Sequence, residues 1–90
     1  MRVRVVAFGE LTEILDKELL VDLVEGSDLS ALLFLLGEKS GSEKGFLGQY
    51  SVKDEVAILL NGRSIHLLEG TKTRLSEGDL VHLLLPFAGG

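Results

Sequence analysis

Residues 2–8, RVRVVAF, alternate apolar and polar positions so that Val3, Val5 and Ala7 share one side, the period-two pattern of a strand with one face in a core. A second run, LLVDLV at 19–24, follows after a short connection, and the two predict an opening β-hairpin. The period then changes. In DLSALLFLLGEKS, Leu29, Leu32, Leu33 and Leu36 recur at i, i+3, i+4 and i+7, which places them on one face of a helix. Ser27 is the expected N-cap, with Asp28 in the first turn and Gly37 as the stop. Phe34 projects from the opposite side, either to pack under the following loop or to serve as an exposed contact residue.

Residues 37–48, GEKSGSEKGFLG, are rich in Gly, Ser and charge without periodicity and read as a loop. EVAILLNGRSIHLL then holds two short apolar runs around Asn61-Gly62, a turn dipeptide that predicts a second hairpin. A further turn at Ser76-Glu77-Gly78-Asp79 leads into LVHLLL, a final strand with Val81, Leu83 and Leu85 on one face and His82 and Leu84 on the other. Pro86 lacks a backbone donor and ends the ladder. Strand, strand, helix, strand, short strand, strand and tail add up to an α+β fold, one mixed sheet of about five strands holding one main helix. Residues 1–85 form the domain, and 86–90 a flexible C-terminal tail.

Ninety residues suffice for one core and not for separate cofactor and substrate domains. With 46% hydrophobic residues and no cysteine, the core is aliphatic and thiol chemistry is excluded. Glu10 and Glu13 interrupt the N-terminal apolar stretch, so it is no signal peptide, and no run approaches a bilayer span; a cytoplasmic protein without a membrane partner is expected. The net charge of −5, with no Lys/Arg cluster, argues against direct nucleic-acid binding. Such acidity serves either dispersal in solution or steering toward a basic protein surface.

A catalytic centre is hard to assemble. His66 and His82 both fall in expected strands, without HxH or HxxxH spacing, and no metal site is expected. No serine sits in GxSxG, and no GxxxxGK[ST] phosphate loop is present. Asp54-Glu55 and Glu77/Asp79 adjoin turns, where carboxylates are usually solvated. Attention passes to the end, LLLPFAGG. Gly89 and Gly90 have no side chain to pack, and the group they offer is a terminal carboxylate. Pro86 to Gly90 span roughly 17 Å when extended, and residues without Cβ can thread a narrow channel.

The order of elements with this ending resembles the β-grasp fold of the ubiquitin-like superfamily. Residues 56–90, VAILLNGRSIHLLEGTKTRLSEGDLVHLLLPFAGG, are similar to its MoaD/ThiS-like sulfur carriers, above all the small subunit of molybdopterin synthase (MoaD). The shared features are a strand into Asn61-Gly62, a Gly78-Asp79 turn, a hydrophobic strand and Pro-x-x-Gly-Gly. MoaD proteins commonly carry Pro-Pro before the tail, where this chain has Leu85-Pro86 followed by the bulky Phe87. Molybdopterin synthesis, thiamine-type sulfur carriage and small modifiers that also attach to lysines or serve tRNA thiolation stay open, with Pro86 favouring the first and third.

The resemblance implies that Gly90 is adenylated by a MoeB/ThiF-like activating enzyme using ATP and Mg²⁺, and that a sulfur donor protein then leaves a thiocarboxylate on it. Pro86, Phe87, Ala88 and Gly89 would present Gly90 to a MoaE-like large synthase subunit. The chain would be a small non-catalytic subunit with no bound cofactor. His82 and Leu84, on the side of the strand that carries ubiquitin's binding patch, would form the partner surface, with Phe34 as a further contact. The alternative from another class is a β-grasp interaction domain without tail chemistry.

Overall fold

The computed structural model describes residues 1–8, 17–39 and 56–84. β1 (Arg2–Ala7) and β2 (Glu18–Asp22) form the opening hairpin, α1 (Leu29–Lys39) follows, and β3 (Ala57–Leu60), β4 (Arg63–Ser64) and β5 (Leu80–Leu84) complete one sheet. The strand order is β2-β1-β5-β3-β4. β1 and β5 run parallel at the centre, whereas the β1–β2, β3–β4 and β3–β5 pairs are antiparallel. This is the ubiquitin-like β-grasp arrangement, a mixed five-stranded sheet holding one helix.

Period two and period 3.6 meet in one core. Val3, Val5 and Ala7 of β1 and Val81 and Leu83 of β5 point to the helix side, where Leu29, Leu32, Leu33 and Leu36 of α1 cover them. Each fully buried leucine of this kind stabilises the fold by about 1.5–3 kcal/mol.

The helix boundaries differ from expectation at both ends. Asp28, not Ser27, is the cap: its Oδ1 accepts from the Ala31 N–H at 3.0 Å and from the Ser30 hydroxyl at 2.6 Å. Ser27 is occupied elsewhere, its carbonyl accepting from the Leu75 N–H, while Leu29 donates to the Thr73 carbonyl. Gly37 does not stop the helix, which continues to Lys39, and it lies buried within it. The hydrogen bonds from Ser30 and then Ala31 hold the Asp28 carboxyl below the ordinary aspartate range. A depressed carboxylate stabilises above its unfolded pKa and loses that effect as pH falls through the folded one. Asp28→Ala is therefore expected to lower the melting temperature at about pH 7 and to differ less from wild type at about pH 3, as paired thermal melts would show.

The second hairpin turns at Asn61 (φ 51°) and Gly62 (φ 85°), the two left-handed residues of a type I′ turn. Asn61 also positions β5: its Nδ2 donates to Asp79 Oδ1 at 3.0 Å and its Oδ1 accepts from the Leu80 N–H at 2.9 Å. The return strand is shorter than its apolar run implies. After Ser64 the chain enters a 3-10 turn at Ile65–Leu67, so that His66 lies in a turn and not in a strand. Ile65 alone of these three is buried, and the Ser64 hydroxyl caps the turn by accepting from the His66 N–H. Gly78 (φ 82°) completes the expected Ser76–Asp79 turn, and its N–H donates to the Arg2 carbonyl at 2.8 Å, which fixes the start of β5 beside β1. The expected loop beyond Lys39, Leu85, and the Pro86–Gly90 tail lie outside the described residues.

Candidate functional site

β5 is the strand that leads into the tail, and it lies between β1 and β3. Its alternation is clean, with Val81 and Leu83 buried against the helix and His82 and Leu84 half-buried on the other face. Register builds the rest of the site. His82 lies beside Val6 of β1 and Leu59 of β3, and Leu84 beside Ala57. Phe8 continues β1 on the same side, its N–H donating to the Leu83 carbonyl at 3.0 Å and its ring centroid 5.6 Å from that of His82. Val6, Phe8, Ala57, Leu59 and Leu84 thus surround one imidazole on the face opposite the helix, beside the point where the chain passes into residues 85–90.

The other half of this face is charged. Arg4 pairs with Glu18 at 3.0 Å and Arg2 with Asp22 at 2.9 Å. The Arg2 hydrogen bond, and then its charge, hold the Asp22 carboxyl below its ordinary range. These are exposed pairs, which orient side chains and contribute little to stability.

His82 and Leu84 are brought together as expected from the sequence. Phe34 does not join them: it stands 60% exposed on the outer side of α1, across the sheet. Val6, Phe8, Ala57 and Leu59 were not singled out by sequence reasoning. For Val6 and Phe8 the signal was present, since the alternation that sends Val3, Val5 and Ala7 inward sends them outward. Ala57 and Leu59 depend on the long-range β3–β5 register, which local pattern does not carry. Among the described residues no group of His, Cys, Asp and Glu is arranged to hold a metal ion, and no helix is long and apolar enough to cross a membrane. Its apolar side chains suit the patch to contact.

The model of the ThiS family matches residues 5–90. The chain belongs to the ThiS family. Among solved structures it is similar to a chain in the complex of subunits 1 and 2 of molybdopterin-converting factor from Helicobacter pylori, with 31% identity, TM-score 0.66 and 100% of each chain covered. It is also similar to small archaeal modifier protein 1 from Methanosarcina acetivorans, with 29% identity, TM-score 0.75, and 99% of this chain and 96% of that one covered. Urm1 from Trypanosoma brucei shares the fold at 20% identity and TM-score 0.70, over 99% of this chain and 95% of that one. No curated protein matches in a sequence comparison. Within this ThiS-family chain the apolar patch and the approach to the Gly-Gly end are adjacent.

Proposed function

We propose that this ThiS-family chain is a sulfur carrier for molybdopterin biosynthesis, with Gly90 as its reactive end. The observation that carries the reading is the full-length, 31% identical likeness to a chain of the two-subunit molybdopterin-converting factor, together with the Pro-x-x-Gly-Gly ending. A carboxylate acylates poorly because oxide is a poor leaving group. An ATP-dependent activating enzyme would join Gly90 to AMP with release of pyrophosphate, and sulfur delivered at the oxidation level of sulfide would displace AMP to leave a thiocarboxylate. The face bearing Phe8, His82 and Leu84 would seat the activating enzyme and then a large synthase subunit, each receiving the tail in its own active site. Catalytic groups belong to those partners, and the chain supplies the reagent.

A second reading, conjugation of Gly90 to lysines, is favoured by the 29% identity to a small archaeal modifier protein. Both routes share the adenylate, so the product decides between them. With activating enzyme, ATP, Mg²⁺ and a sulfur donor, the protein is expected to gain the mass of one oxygen-to-sulfur exchange at Gly90. It should then react with thiol-directed alkylating reagents although it contains no cysteine. Recovery from its native cells mainly as isopeptide conjugates through Gly90, with no thiocarboxylate under sulfur-replete conditions, would reverse the ranking.

A further inference from the structure

β2 is a terminal strand, with β1 on one side and no strand among the described residues on the other. Its backbone is set to pair again. Antiparallel strands alternate between hydrogen-bonded and non-bonded residue pairs, and here the Leu23 N–H donates to the Met1 carbonyl while the Lys17 carbonyl accepts from the Ala7 N–H. With Val3 opposite Val21 and Val5 opposite Leu19, the same alternation turns the N–H and C=O groups of Glu18, Leu20 and Asp22 outward along the open edge.

A groove runs beside this edge, between β2 and α1. One part, of about 480 Å³, is lined by Leu20, Val21, Asp22, Leu35 and Glu38. The adjoining part, of about 570 Å³, shares Asp22 and Leu35 and reaches Val24 and Phe34. Leu20, Val24 and Phe34 are 59%, 81% and 60% exposed, Leu20 bordering the first part and Val24 and Phe34 the second. Contiguous exposed apolar surface marks an interaction site, and an open edge with such a border accepts an added strand.

Charge selects the occupant. Among the described residues the groove lining holds Asp22 and Glu38 and neither Lys nor Arg, and Glu18 and Asp22 flank Leu20 on one face of the strand. A second copy pairing antiparallel about Leu20 would set Glu18 opposite Asp22 twice, and like charges directly opposed destabilise a sheet. A strand reading cation, apolar, apolar, apolar, cation fits instead. Its outer Lys or Arg residues meet Glu18 and Asp22, its central side chain meets Leu20, and the two between turn toward Val21 and Leu35. Each carboxylate, already paired with Arg4 or Arg2 on its β1 side, gains a second cation from the other.

We infer that the β2 edge and the β2–α1 groove dock an extended, basic-flanked apolar segment of a partner protein as a sixth strand. β1 separates this edge from β5, so the docking site is independent of the sulfur-carrier reading and both can be occupied at once.

The test is an amide-resonance titration of the full chain with capped Lys-Val-Ile-Val-Lys, compared with capped Glu-Val-Ile-Val-Glu. The lysine peptide is expected to bind at least about tenfold more tightly, since two opposed charge pairs become two repulsions. It should slow hydrogen exchange at Glu18, Leu20 and Asp22 and leave His82 and Leu84 unmoved. Leu20→Ser should weaken binding about tenfold through lost apolar contact with the central side chain with the melting temperature kept. Equal binding of the two peptides, binding of neither, protection mapped to β5, or displacement of the peptide by self-association through β2 would each overturn the inference.

Discussion

Deleting Gly89 and Gly90 is expected to abolish ATP–pyrophosphate exchange by the cognate activating enzyme while leaving the melting temperature where it was. Neither residue has a side chain to contribute to a core, and among the described residues the buried cluster reaches Leu83. Two terminal glycines contribute little to stability. Its loss in the proposed reaction is severe, because the carboxylate to be adenylated is displaced by two residues, and misplacing a reacting group by about an ångström already costs about a hundredfold in rate. Replacing Gly90 with Trp is the companion variant. It restores the length but puts a bulky side chain where glycine's lack of Cβ is needed to enter a narrow channel. Equal exchange by wild type and truncated protein would remove the carrier reading and leave the β-grasp interaction domain in its place.

The parts of the fold that were legible in the sequence are those in which local pattern and tertiary environment agree. Val3, Val5 and Ala7 at period two and Leu29, Leu32, Leu33 and Leu36 at period 3.6 are buried as their spacing requires. Asn61-Gly62 makes its turn because a type I′ connection needs two left-handed residues and this dipeptide supplies them. The misreadings arose where two local rules competed. Ser27 and Asp28 are both good caps, and the choice fell to Asp28 because the Ser27 backbone is tied to Leu75, a partner far along the chain. Gly37 carries the signature of a helix stop, yet the helix runs through it, buried, to Lys39. In RSIHLL, apolarity suggested strand, and the Ser64 cap turned the chain into a 3-10 turn instead. The candidate site was half legible: strand alternation places His82 with Leu84 and, read fully, Val6 with Phe8. What joins the two pairs is the parallel β1–β5 register, a pairing between the two ends of the domain that no local pattern encodes.

The alternation on β5 also gives the sharpest separation of stability from binding, through two adjacent leucines. Leu83 is completely buried, and Leu83→Ala leaves a cavity in a packed interior, which costs about 2–5 kcal/mol. In a domain of this size that corresponds to a fall in melting temperature of roughly 10–40 °C. Leu84 is half-buried on the opposite face, beside Ala57 at the end of the strand. An arginine there can lay its methylenes along the neighbouring apolar surface and keep its charge in water, so Leu84→Arg is expected to cost less than about 1 kcal/mol. Its effect falls on association, since a charge in the centre of an apolar contact loses hydration without gaining a partner. Affinity for the activating enzyme should drop at least about tenfold, the equivalent of about 1.4 kcal/mol. Thermal melts and binding titrations on the two variants read both quantities. If Leu84→Arg unfolds the domain, the side chain belongs to a second core on that face; if it folds and binds as wild type does, the partner sits elsewhere, and the apolar surface around His82 needs a different occupant.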